Sequence, residues 1–209
     1  MFGFFNRTKI KQWEIDLLEK VFESLNQNYS SFKSQVKEGL LTGVRLYPED
    51  KSNYVGFKYN PGIAEKYLDD TARDYAIKGV QVFDKKQSKY IDFIIHVTHG
   101  LICGYSTPES DTPKFDIGKL KVPEVKNVYE ENPDFEQIKN LLSGSEHNLL
   151  NPSEVYKVEL EGKIYYHLKD LEDGDFIGID DKKRVYQFTH DPYEIKFLSV
   201  DLESVLSNN

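Results

Sequence analysis

The chain has 209 residues, a formal net charge of −8 and a 39% apolar fraction supplemented by 14 Tyr and 13 Phe. This size and aromatic content suffice for one sizeable core or two small ones and argue against intrinsic disorder. The acidity argues against nucleic-acid binding, which needs a basic stripe against phosphates.

In chain order, Trp13, Leu17, Val21 and Leu25, widened by Leu18 and Phe22, recur with helical period and predict a first helix. Met1-Phe2-Gly3-Phe4-Phe5 ahead of it has an apolar touch but lacks a signal-peptide core, and packing on the body is the expected role. Ser30 or Ser31 is expected to cap a second helix carrying Phe32 and Val36, with Gly39 as its stop. The period then becomes two, giving strands through Val44–Leu46 and Val55–Tyr59 around the turn Pro48-Glu49-Asp50-Lys51. Asn60-Pro61-Gly62 punctuates before a short helix through Ile63, Tyr67 and Ala72. Gly79–Phe83 and Tyr90–Tyr105 are the most apolar strands, the second expected to run uninterrupted through a sheet centre, with bulges or a bend at Gly100 and Gly104.

Residues 106–131 carry Pro108, Pro113 and Pro123 among charges, which predicts a long loop. A single α+β domain over 1–209 is expected, with 106–131 as the candidate boundary between 1–105 and 132–209. Asn132-Pro133 opens a helix with Phe135, Ile138, Leu141 and Leu142 on one face, and Gly144 is expected to end it. A meander follows: Val155–Leu160, a Glu161-Gly162-Lys163 turn, Ile164–Leu168, the hairpin Phe176–Phe188, another strand and a helix through Leu202 and Leu206. The fold expected is therefore α+β, a mostly antiparallel sheet with N-terminal helices, one helix after the Pro-containing loop and a short C-terminal helix.

Candidate chemistry is sparse. His96 and His99, three apart on one strand, would point to opposite faces, and no third ligand is announced, so no metal or other cofactor is expected. Cys103 is the only cysteine, which excludes an internal disulfide and fits a reducing compartment; its apolar surroundings predict an inert core thiol. No Gly-x-Ser-x-Gly and no Gly-rich phosphate loop occurs. An EF-hand reading of Asp170–Asp181 fails, because counting back from Gly174 puts Leu171 and Lys169 where acids are required. No run approaches the ~20 apolar residues of a spanning helix, and a cytoplasmic location is expected.

Between Lys169 and Glu203 ten acids face five bases, so −5 of the net charge falls in this short stretch. Gly174-Asp175-Phe176-Ile177-Gly178-Ile179-Asp180, then Arg184-Val185-Tyr186, a strand and the terminal helix Asp201–Leu206 resemble the last third of SUKH superfamily domains. That superfamily includes yeast-type cell-wall synthesis regulators and bacterial immunity proteins. Trp13 and Leu18-Glu19 resemble its opening helix. No Leu-Pro follows that helix, however, and Glu38-Gly39 stands where the family has Asn-Gly-Gly. The resemblance implies an α+β fold and a non-enzymatic protein-binding role, in bacteria often neutralisation of a co-encoded toxin. An acidic patch would steer a basic partner. The candidate partner-binding residues are Asp173, Asp175, Asp180, Asp181, Tyr186, Asp191 and Tyr193, with Phe188 as a further aromatic anchor. The competing reading is a small-molecule enzyme with a pocket around residues 90–105, using His96 or His99.

Overall fold

The structure is a computed structural model that describes residues 7–47, 53–110 and 113–207. The turn expected at Pro48–Lys51 and the apolar start lie outside the described residues. Within them the protein is α+β, with six α-helices and 14 strands that pair antiparallel throughout. The chain divides into two compact units, one running to Asp69 and resuming over Asp74–Tyr129, the other comprising Asp70–Arg73 and Glu130–Asn209.

In the first unit, α1 (Gln12–Ser24) turns Leu17, Leu18, Val21 and Phe22 inward, as its periodicity demands. The cap expected at Ser30 or Ser31 lies earlier. The Asn26 side chain accepts the Asn28 N–H at 3.0 Å and opens a single 3-10 turn, and Ser30 already begins α2 (Ser30–Lys37). Gly39, at φ +83°, stops α2 with a Schellman pair: its N–H reaches the Val36 carbonyl at 3.1 Å, and the Leu40 N–H reaches Gln35 at 3.0 Å. There follow β1 (Leu41–Leu46), β2 (Val55–Tyr59), the Asn60-capped α3 (Pro61–Tyr67), β3 (Tyr75–Lys78) and β4 (Gln81–Asp84). The strands continue with β5 (Lys89–Asp92), β6 (Ile94–Thr98), β7 (Leu101–Ser106), β8 (Phe115–Lys121) and β9 (Lys126–Tyr129). They form a six-stranded sheet ordered β1-β2-β7-β6-β3-β9 and a three-stranded sheet β5-β4-β8. Val44, Phe57, Ile77, Ile95 and Ile102 share the buried core with the apolar faces of α1 and α2.

Two expectations change here. The uninterrupted strand Tyr90–Tyr105 is three strands, because the chain reverses at His99-Gly100, both at positive φ (+46° and +73°), the conformation a two-residue hairpin turn requires. Gly100 is thus a turn residue. The bulge lies at Cys103, since His96 pairs with Gly104 and Val97 with Ile102, leaving Cys103 without an opposite number. The expected loop 106–131 contains β8 and β9, with Pro113 ahead of β8 and Pro123 between the two, so no proline interrupts a ladder.

The second unit contains α4 (Pro133–Ile138), α5 (Gly144–Asn148), β10 (Tyr156–Leu160), β11 (Lys163–Asp170), β12 (Phe176–Ile179), β13 (Val185–His190), β14 (Tyr193–Leu198) and α6 (Leu202–Ser207). Asn132 caps α4 by accepting the Asp134 and Phe135 N–H groups at 2.9 and 3.2 Å. Gly144, expected to end that helix, instead opens α5. Ser143 is the cap there, and Glu146 closes a reciprocal capping box with it. The five strands form one meander in chain order. Its first hairpin turns at Glu161-Gly162, both at positive φ. Phe135, Ile138, Ile177, Ile179, Leu202 and Leu206 form the core on the face where the helices pack.

Candidate functional site

Alternation along the meander sends a second set of side chains to the opposite face. His167 stands opposite Gly178 and Gly178 opposite Tyr186; Phe176 pairs with Phe188, Phe188 with Ile195, and Tyr186 with Phe197. The rings meet in series: Tyr156 stacks on His167 at 4.3 Å, His167 lies 5.2 Å from Phe176, and Phe176 stacks on Phe188 at 4.3 Å. Tyr165 reaches across β12 to Phe188 at 4.9 Å and to Tyr186 at 5.1 Å, and Tyr186 meets Phe197 at 5.7 Å. Gly178 makes this crossing possible. A Cβ there would come within 3.1 Å of the Phe188 ring and 2.7 Å of the Tyr166 carbonyl oxygen. Tyr165 and Phe188 are buried, whereas Tyr156, Tyr193 and Phe197 at the margins are 48%, 56% and 55% exposed.

The register separates the expected partner-binding residues into two groups. Phe176 pairs with Phe188 and Ile179 with Val185, so Asp173 and Asp175 lie at one end of the hairpin with Asp191 and Tyr193, and Asp180 and Asp181 at the other. Tyr186 lies between, half-buried in the ring series. Asp175 is engaged internally: its Oδ1 accepts the His190 backbone N–H at 3.1 Å and lies 2.9 Å from His190 Nδ1. Asp180 is buried and accepts the N–H groups of Lys182 and Arg184 at 3.0 and 2.9 Å and the Arg184 Nε at 2.6 Å. Burial pushes its carboxyl upward, but these donors outweigh that and hold it below the usual carboxylate range. Asp180 therefore builds its turn. Asp173, Asp181 and Asp191 are exposed and make no hydrogen bond or ion pair among the described residues. Residues 130–209 carry 18 acidic and eight basic side chains, net −10, while residues 1–129 carry +2.

The region proposed for catalysis also resolves into contacts. His96 Nε2 lies 2.9 Å from the buried Ser106 Oγ, and the Tyr54 ring meets the His96 imidazole edge-on. The Tyr54 hydroxyl donates to the Cys103 carbonyl at 3.2 Å and approaches its Sγ at 3.6 Å; burial raises that hydroxyl far above its ordinary pKa. Cys103 is half-buried in its bulge rather than enclosed in the core. His99, in the turn, donates its backbone N–H to Asp74 at 3.3 Å. Among the described residues no group of three or more His, Cys, Asp or Glu could hold a metal, and no helix is long and apolar enough to cross a membrane.

One polar cluster escaped the sequence. Glu14, 1% exposed, accepts from Arg7 (2.9 Å at Nη2), the Lys11 N–H (2.7 Å) and the Tyr105 hydroxyl (2.6 Å). Burial, then the Glu14 charge, raises the Tyr105 hydroxyl above its ordinary range. The only sequence sign was a glutamate inside the first helical turn. The ring series was foreshadowed by Tyr165 and His167, and by Tyr186 and Phe188, spaced two apart on adjoining strands. No family model matches the chain, and neither a curated protein nor a solved structure matches it significantly.

Proposed function

We propose that this chain is a non-enzymatic protein-binding module of the cytoplasm whose C-terminal unit receives a basic protein. Neutralisation of a toxin is the role implied by the SUKH resemblance. The observation that carries the reading is the concentration of net charge, −10 over residues 130–209, beside exposed aromatic rings. Long-range attraction to such a surface raises the association rate, and rings at its margin supply contact area. We narrow the candidate contact to Asp173, Asp191 and Tyr193, which share one end of the hairpin, because Asp175 and Asp180 already serve the fold and Asp181 lies at the other end.

The test is co-expression with the protein encoded in the adjacent reading frame, followed by association kinetics at low and high salt. A stable complex is expected, its association slowed by salt and by Asp173→Lys/Asp191→Lys, with Asp181→Lys nearly silent. Absence of a complex, or an on-rate indifferent to both salt and the double reversal, overturns the reading. The second reading, catalysis around residues 90–105, is supported by the His96–Ser106 contact. It requires covalent labelling of Ser106 by a fluorophosphonate probe that His96→Ala abolishes.

A further inference from the structure

A sheet edge presents unpaired backbone groups that a second strand can extend, and proteins commonly cover or blunt such edges. Several edges here are covered. On β1 the Val44 N–H is taken by the Thr8 carbonyl at 2.9 Å, and on β10 the Lys157 N–H is taken by Asp134 Oδ2 at 2.8 Å. On β14, among the described residues, only the ladder to β13 engages the backbone of Tyr193–Leu198. Tyr193 and Phe197 are more than half exposed on one face of this edge strand, and Glu194 and Lys196 are exposed on the other.

The order of these residues is self-complementary. In antiparallel pairing, opposed residues share a face. A two-fold axis at Ile195 sets Glu194 against Lys196 of the second copy, Lys196 against its Glu194, Tyr193 against Phe197, and Ile195 against itself. Centring one residue earlier opposes Glu194 to Glu194, and one later opposes Lys196 to Lys196. Centring between residues sets charged against apolar. We propose that β14 pairs antiparallel about Ile195 with β14 of a second copy, joining two five-stranded sheets into one. Lys196, which alone would guard the edge, finds its counterion there. The net −10 of each C-terminal unit opposes this pairing at long range. Because screening acts over about 8 Å at physiological ionic strength, added salt strengthens self-association, the opposite of its effect on a basic partner. The pairing does not require such a partner, but both use Tyr193, so a second copy and a basic partner compete there.

Sedimentation equilibrium of the full chain across a salt series tests it, with circular dichroism to verify folding. The wild type should dimerise, more tightly at higher salt. Lys196→Glu should weaken the dimer about tenfold or more by making both charge pairs repulsive, as should Glu194→Lys. The exchanged variant Glu194→Lys/Lys196→Glu should restore it. A wild type that stays monomeric to about 1 mM, single reversals without effect, or failure of the exchange to rescue them would each overturn the proposal. So would a monomer whose β14 amides gain exchange protection only on addition of a basic protein; the edge would then belong to that partner.

Discussion

The six-stranded sheet of the first unit and the five-stranded sheet of the second each bury one largely apolar face with helices, then diverge on the other face. Both place a glycine in an interior strand with an aromatic ring over it. A Cβ at Gly104 would lie 2.6 Å from the Tyr54 hydroxyl and 2.5 Å from the Val55 carbonyl, and Gly178 plays the same part beneath Phe188. In the first unit the ring covers a polar group, His96 with Ser106 and the Cys103 bulge. In the second it belongs to a continuous layer of rings from Tyr156 to Phe197. One backbone device thus seats either hydrogen-bonding chemistry or apolar area, and the neighbouring residues on adjacent strands decide which.

Both units also bury acids, and the largest expected effect concerns Glu14 in the first. Glu14→Ala should destabilise the first unit by about 2–4 kcal/mol, because it strips a half-buried cation, a buried hydroxyl and a backbone N–H of their shared partner. A denaturant titration read by Trp13, the single tryptophan, which packs against Tyr105, reports it. A change below ~1 kcal/mol would mean that Glu14 behaves like a surface pair. Next in size, Gly104→Ala and Gly178→Ala should each cost about 1–3 kcal/mol through overpacking against backbone. Only Gly178→Ala should collapse the near-ultraviolet dichroism of the ring layer; equal spectra for the two variants would erase the contrast.

The smallest effect concerns acid. Asp180 in the second unit and Asp84 in the first are both buried, and in both the cost of burial is outweighed by donors: Arg184 and Lys182 for Asp180, the Lys114 and Lys86 N–H groups and Ser110 for Asp84. A carboxyl held below its unfolded value, about 3.9, contributes stability that is present above that value and lost as pH falls through the folded value. Asp180→Asn and Asp84→Asn should therefore each cost about 1–2 kcal/mol at neutral pH and flatten the acid limb of a stability–pH curve. A slope unchanged below about pH 4 would count against this balance.

Much of the architecture was legible because alternation and caps are local. The helices at Trp13 and Asn132, the hairpin Phe176–Phe188 and the closing helix all follow from spacing alone. The hairpin inside Tyr90–Tyr105 was hidden because β6 and β7 both lie in the sheet interior and read as one apolar run. Its turn uses His99-Gly100, without the Asn-Gly signal. β8 and β9 were hidden because β9 is an edge strand and β8 lies at an edge of its own small sheet, where polar residues suffice. The candidate site was legible as charge and illegible as geometry. Nothing in the order of residues shows that Asp180 is consumed by its own turn while Asp173 and Asp191 are left exposed, since that depends on hydrogen bonds made after the strands are in register.

The bulge at Cys103 gives the molecule an internal clock. The chain has one thiol, half-buried with the Tyr54 hydroxyl 3.6 Å from its sulfur, so its alkylation is sensitive to the lifting of that ring from Gly104. The rate at which a maleimide reacts then measures how often this face of the six-stranded sheet breathes. One residue displaced from the ladder converts a conformational opening into a chemical rate that can be timed without introducing another thiol.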